Sequence, residues 1–349
     1  RTCRIFKIWD VKYSNLYYSK EIHLRSYVRE NRLSKSALVL GYTGQDGQFL
    51  TKLLLDKGYK VFGSSRNFTT DVARKNNSWN NDIHKVTIIP SDFRSVLIGM
   101  NKTKPDEVYN LSGQSSVGYS FEDPNETLTS ISGATQNILE ALRITGSCAK
   151  FYNAGSSEMF GETSPRGADE LSRVNPKSPY GVAKAASFFQ TKIYREAYSI
   201  NCCTGILFNH ESEFRSKNFV TYKIIDTALR ISKGEKLKLQ MGRTDIQRDW
   251  GYAGDYVLAM WKMLQNTETK DYVIASGKAV KLTDFIAEVF SQLNLNFMNY
   301  METDKDLFRP HDIMFSKGNP IKANKELKWK ASHNLSDLVD KLLKGFQEI

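Results

Sequence analysis

Ala37-Leu38-Val39-Leu40-Gly41-Tyr42-Thr43-Gly44-Gln45-Asp46-Gly47 is the stretch on which the fold turns. Four apolar residues form a run of the buried-strand type, and three glycines follow at a spacing of three. Phe49, Leu50, Leu53, Leu54 and Leu55 then recur at helical spacing until Gly58 stops the pattern. The order is strand, glycine turn, helix. Such a turn lets backbone N–H groups approach a pyrophosphate without side chains in the way, while the positive end of the helix faces the phosphates. Three glycines alone are a weak signal. Set between a buried strand and an amphipathic helix, they predict a dinucleotide site.

Outward from this unit, further strands are expected at Lys60–Ser65, Val86–Ile89, Glu107–Leu111, Lys150–Ala154 and Thr204–Phe208. Helical segments lie between some of them, and again over about 124–145, where Ile138, Leu139 and Leu142 share a face. Strands alternating with helices imply the α/β class, as a Rossmann-type doubly wound parallel sheet. After about residue 209 the pattern loosens into polar loops, helices near 219–233 and 254–265, and two C-terminal helices. This predicts a basic arm over 1–35, a dinucleotide-binding domain over 36–208 and a smaller C-terminal substrate domain over 209–349. Some segments of that last domain should return to the sheet, folded against its carboxyl edge.

Composition narrows the function. The 349 residues are 40% hydrophobic and 25% charged, the profile of a globular protein. No apolar run approaches the roughly 18 residues of a membrane span. The net charge of +11 is spread along the chain among acids, without a groove-reading module, so a phosphate-bearing substrate is expected rather than nucleic acid. Cys3, Cys148, Cys202 and Cys203 lack metal-ligand spacing and read as thiols of a reducing compartment, the cytoplasm. The first 35 residues hold nine Lys or Arg against three acids, Asp10, Glu21 and Glu30. They fit a targeting remnant that would make the protein organellar, an arm docking on a partner, or a processed end.

The tip of the second strand sits beside the adenosine ribose in this fold. An acid there suits a 2′-hydroxyl and an arginine a 2′-phosphate. Here it reads Ser64-Ser65-Arg66-Asn67, so Arg66 favours NADP. Asp92, past the third strand, is placed to accept from the adenine amino group.

Tyr180-Gly181-Val182-Ala183-Lys184 puts a phenol and an ammonium at i and i+4 on a helix opened by Pro179. Lys184 can stabilise a phenolate and hold the nicotinamide ribose, letting Tyr180 act as a base near neutral pH. A bare Y-x-x-x-K is common on helix surfaces, and position is what distinguishes this one. It follows the fifth strand, whose end carries Ser156-Ser157-Glu158 and should face the nicotinamide.

On these motifs the chain resembles an extended short-chain dehydrogenase/reductase, and within that superfamily it is similar to the GDP-mannose 4,6-dehydratases. The resemblance runs from about Lys35 to Ala331. It is most specific in Gly41–Gly47, Asn110–Ser115, Ser156–Glu158, Pro179–Lys184, Gly205–Ser212 and Arg248-Asp249-Trp250-Gly251. It implies Ser156, Glu158, Tyr180 and Lys184 as catalytic residues. Cofactor contacts are implied for Gly41, Thr43, Gly44, Gln45, Asp46, Gly47, Arg66, Asp92, Phe93, Leu111, Ser112, Gly113, Gln114, Ser115, Tyr180, Lys184, His210 and Arg215. Contacts to the nucleotide sugar are implied for Ser115, Ser156, Asn209, Glu211, Lys223, Arg248 and Arg309, with no metal. A homodimer or homotetramer is expected.

The residue types suit that chemistry. Oxidation at C4 would acidify C5–H, and Glu158 can take that proton and assist loss of the C6 hydroxyl as water. Ser156 would hydrogen-bond the C4 oxyanion. A reductase or epimerase of the same fold has no such need for a carboxylate two residues after the serine. A non-catalytic NADP-binding subunit would not need the catalytic four intact. The chain departs from the family pattern at Glu213-Phe214-Arg215-Ser216, where a proline and two arginines followed by glycine are usual. Only one arginine follows the second strand, and Gly318-Asn319 replaces Gly-Asp.

Overall fold

The computed structural model describes residues 34–65, 78–308 and 311–347. Arg66, Arg309 and the arm, save its last two residues, lie outside this range, as does Cys3.

Strand β1 (Ser36–Leu40) is buried at all five positions. Side chains alternate along a strand, so Ala37 and Val39 enter one face of the core and Leu38 and Leu40 the other. On the first face Leu50 and Leu54 of α1 (Gln45–Asp56) are fully buried. Each contributes about 1.5–3 kcal/mol. The chain continues through β2 (Lys60–Ser64), β3 (His84–Lys85), α2 (Phe93–Thr103), β4 (Glu107–Asn110), α3 (Val117–Glu122), α4 (Pro124–Leu128) and α5 (Ala134–Ile144). Then come β5 (Lys150–Ala154), α6 (Pro179–Tyr198) and β6 (Cys202–Leu207).

The second half holds β7 (Asn209–Glu211), α7 (Val220–Ser232), β8 (Leu239–Met241), β9 (Gln247–Tyr252), α8 (Ala253–Gln265), β10 (Tyr272–Ile274) and β11 (Ala279–Lys281). It ends with α9 (Leu282–Gln292), β12 (Met301–Thr303), β13 (Phe315–Ser316), α10 (Ile321–Glu326) and α11 (Leu335–Gln347).

Seven parallel strands form the central sheet in the order β10-β6-β5-β4-β1-β2-β3. Chain order reverses between β1 and β4, which opens a crevice at their carboxyl ends. Strand β10 and helix α8 come from the second half. Met260, Met263 and Leu264 of α8 join Leu50 and Leu54 in one cluster, so the second half supplies part of the sheet's cover. A separate cluster beside the crevice gathers Ile224, Ile225, Trp250, Phe285, Ile286, Leu338 and Leu342 from α7, β9, α9 and α11.

Three expectations need correction. The third ladder segment is His84–Lys85, not Val86–Ile89. Beyond it the Ser64 hydroxyl replaces the ladder, accepting from Ile88 N and facing Ile88 O at 3.1 Å each. The helix over 124–145 is interrupted by a π-turn at Thr129–Gly133. The strands β7–β9 and β11–β13 and the helix α9 escaped the periodicity reading; all of these strands but the six-residue β9 have two or three residues, too few to show a period. Cys202 and Cys203 are buried in β6.

Candidate active site

The turn Gly41–Gly44 carries the chain from β1 to α1. Gly41 has φ +83, and a Cβ there would meet Leu111 O at 2.7 Å. Gly47 serves packing instead: its Cβ would lie 2.3 Å from Gly41 O and 2.5 Å from Tyr42 Cα. Only Gly44 has its nearest obstacle as far as 3.3 Å, and it lines cavities on both sides of the turn. The three glycines thus divide their labour between a left-handed turn, a ligand face and helix docking.

One cavity, about 420 Å³, lies between Thr43, Ser64, Ser65, Ile88, Pro90 and Ser112. The hydroxyls of Thr43 and Ser65 are 2.7 Å apart at the end of β2. The other, about 300 Å³, runs from the turn past the ends of β4, β5 and β6 to β9. Shared lining by Gly41, Gly44, Leu111, Ser112 and Gly113 makes the two a continuous path along the glycine turn. The N–H groups of Gly41, Tyr42 and Gly44 bond within the protein, so the first-turn N–H groups of α1, the open face at Gly44 and the paired cavities are what fit a dinucleotide.

Ser156, Glu158, Tyr180 and Lys184 all line the second cavity. Ser178 caps α6 by accepting from Gly181 N at 3.0 Å, and Pro179 occupies the first turn, so the sequence fixes where Tyr180 begins its helix. Lys184 is buried and donates to Ala154 O at 2.7 Å, with Nζ 5.7 Å from the Tyr180 ring centroid. Burial pushes the ammonium down to about 8, opposed by the charge of Asp46. Burial likewise pushes Tyr180 up to about 12, while its hydrogen bond with Ser156 pulls the other way. Burial thus favours the protonated phenol of Tyr180. Glu158 sits on a 3₁₀ turn, Ser157–Met159, capped by the Ser156 hydroxyl accepting from Glu158 N at 3.3 Å.

That turn rests directly on α6. A Cβ on Gly181 would meet Glu158 O at 2.7 Å, so the glycine after Tyr180 lets the turn and the helix touch.

His210 Nε2 is 2.9 Å from Asp46 Oδ2, and its Nδ1 donates to Phe208 O at 2.7 Å. Both ring nitrogens thus face acceptors. Burial lowers the His210 pKa, but the Asp46 charge outweighs it and the net direction is up; Asp46 goes down in return. Arg215 pairs with buried Glu211 at 2.9 Å and lies 3.7 Å over the Phe219 ring. Glu211 also accepts from Thr221 at 2.6 Å, so protein groups engage its carboxylate. Phe214 packs on Phe49, with ring centroids 5.2 Å apart.

Arg248 is buried and lines the cavity beside Asn209 and Trp250. Its neighbour Asp249 turns away and accepts from Ser276 N and Oγ, Gly277 N and Gly318 N. Burial pushes that carboxyl up to about 6 against these four bonds.

Of the remaining expected residues, Ser115 lines the cavity. Gln114 braces its own loop, donating to Thr127 and accepting from Ser116 N. Asp92 caps α2 by accepting from Arg94 N, and neither it nor Phe93 lines a cavity described here. Lys223, on the first turn of α7, is likewise outside the lining. Sequence reading missed Asn110 and Asn153, whose amides meet at 3.4 Å between β4 and β5, with Asn110 accepting from Ser112. A polar residue inside an otherwise buried strand was the available signal.

Among the described residues no helix is long and apolar enough to cross a membrane, and no group of three potential ligands could hold a metal ion. Residues 38–342 match the family model described as GDP-mannose 4,6 dehydratase. The chain is 42% identical over 317 residues to GDP-mannose 4,6 dehydratase 1 of Arabidopsis thaliana, covering 87% of this chain and 88% of that one. It is 34% identical over 344 residues to the GDP-mannose 4,6 dehydratase of Cricetulus griseus, covering 90% and 92%. In fold it resembles dTDP-glucose 4,6-dehydratase from Bacillus anthracis in complex with NAD, at 14% identity and TM-score 0.78 over 90% of this chain and 97% of that one. RMD from Pseudomonas aeruginosa complexed with NADPH gives TM-score 0.74 at 19% identity, over 90% and 99%.

Proposed function

The chain belongs to the GDP-mannose 4,6-dehydratase family, and from that premise we propose that it converts GDP-mannose to GDP-4-keto-6-deoxymannose with NADP as a resident cofactor. The observation that carries this is Glu158 lining one cavity with Ser156, Tyr180 and Lys184.

The first-turn N–H groups of α1, the open face at Gly44 and the Ser112–Gly113 loop would hold the cofactor, and Lys184 its ribose. Bound NADP supplies a ring that takes a hydride from the sugar and gives it back, so the reaction is redox-neutral. Tyr180 takes the C4 hydroxyl proton once positive charge beside it lowers its pKa, and Ser156 donates to the C4 oxygen. The C4 ketone acidifies C5–H. Glu158 removes that proton and delivers it to the departing C6 hydroxyl, which leaves as water. The proton held on Tyr180 returns to the sugar at C5, and the atoms balance. Arg248 is suited to the diphosphate as a buried cation on β9.

Two hydroxyls and no carboxylate at the described end of β2 support NADP over NAD. The free thiols Cys148, Cys202 and Cys203 support a cytoplasmic setting. Incubation with a panel of nucleotide sugars, GDP-mannose first, is expected to yield a product lighter by one water without net change in NADPH absorbance. A reduced product with loss of NADPH would favour the reductase reading.

Val182, Phe189 and Ile193 are about half exposed and lie at spacings of seven and four, on one face of α6. A second copy of the chain would cover this stripe. Sedimentation is expected to show a dimer or larger species that Phe189→Glu dissociates; a wild-type monomer would exclude it.

A further inference from the structure

Strand β7 is only three residues long, and among the described residues its one strand partner is β9. It nevertheless carries Asn209 and Glu211 into the cavity. The backbone carbonyl of His210, at its centre, accepts from Gln45 Nε2 at 3.0 Å. Two residues on, the Ser212 hydroxyl donates to Gln45 Oε1 at 3.0 Å. The second N–H of the same amide reaches Asp46 Oδ1 at 3.2 Å, and Asp46 holds the His210 ring. A primary amide carries the same donor and acceptor types as a peptide. Gln45 thus meets β7 as a neighbouring peptide would. Its orientation is fixed, because only nitrogen can face a carbonyl and a carboxylate together.

These bonds engage the side-chain amide within the protein. What Gln45 can offer a dinucleotide is the backbone N–H of the first turn of α1.

We propose that Gln45 is a positioning residue for the substrate: its amide, anchored in the glycine turn, sets the placement of Asn209–Ser212 and hence of the Asn209 side chain in the nucleotide-sugar cavity. The proposal rests on the nucleotide-sugar reading of this cavity. It separates two roles that the glycine turn combines, since the backbone serves the cofactor and the side chain the substrate.

Gln45→Met keeps length and apolar bulk but removes all three hydrogen bonds. Calorimetric titration with GDP is expected to show about tenfold weaker binding, and KM for GDP-mannose to rise about tenfold with kcat within about threefold. NADP affinity, titrated separately, should stay within about twofold. Ser212→Ala should give a smaller shift in the same direction. Added to Gln45→Met it should cost less than it does alone, because the Gln45–Ser212 contact is already gone and only the bond from Phe214 N to Ser212 remains to be lost. If Gln45→Met does not fold, the Ser212→Ala shift in KM decides. Unchanged GDP affinity and KM in the variants would overturn the proposal, as would a loss confined to NADP. A wild-type protein that binds NADP but not GDP would instead overturn the nucleotide-sugar reading itself.

Discussion

Glu158→Gln is expected to lower kcat for water loss from GDP-mannose by roughly 10²–10⁴-fold, the usual contribution of a positioned acid or base. The amide keeps the size of the carboxylate and cannot take a proton from C5. GDP affinity should stay within about threefold, because the change acts on a step after binding. Product formation by mass spectrometry and exchange of the C5 hydrogen with deuterated water would both be measured. Exchange at C5 at the unmutated rate would remove Glu158 from proton transfer, even if product formation slowed. Glu158 also divides the rival enzyme readings, since epimerisation at C4 does not require a proton to leave C5.

Tyr180→Phe should cost a similar roughly 10²–10⁴-fold in kcat. The ring should keep its packing against Ile131 and Ala183, so folding should survive. Its pH behaviour follows from Lys184. The ammonium, pushed down to about 8 by burial, is charged below that pH and neutral above it. Support for negative charge on Tyr180 is therefore present at neutral pH and lost as pH rises through about 8, and kcat/KM of the wild type should fall on that side. Lys184→Met should lose most activity together with this limb. A profile flat from pH 7 to 10 would show that Lys184 does not govern Tyr180.

The strand–turn–helix unit was legible because its pattern is local: alternation buried β1 on both faces, and the leucines of α1 met the sheet where their spacing put them. That Ser156, Glu158, Tyr180 and Lys184 meet at one cavity was legible for a related reason. Each sits at a strand end or on the first turns of a helix, where topology decides what it faces. The clamp around Gln45 was not legible, since its partners are 165 and 167 residues away and nothing in the spacing pairs an amide with a distant carbonyl. The burial that pushes the Tyr180 phenol up was not legible, since sequence shows the residue at i+4 and not the desolvation of the ring. Glu211 reads as a ligand group in the sequence, yet Arg215 and Thr221 engage it.

Gly181 leaves a final consequence. Because the Glu158 carbonyl sits close to where a Cβ would be, the separation between the turn that carries Glu158 and the helix that carries Tyr180 is a backbone dimension, gauged by the thickness of a glycine. A methyl group at 181 would work as a shim between two machined faces. It would displace the carboxylate relative to the phenol without altering a single reactive atom, and so could uncouple oxidation at C4 from elimination at C5 in an otherwise intact protein.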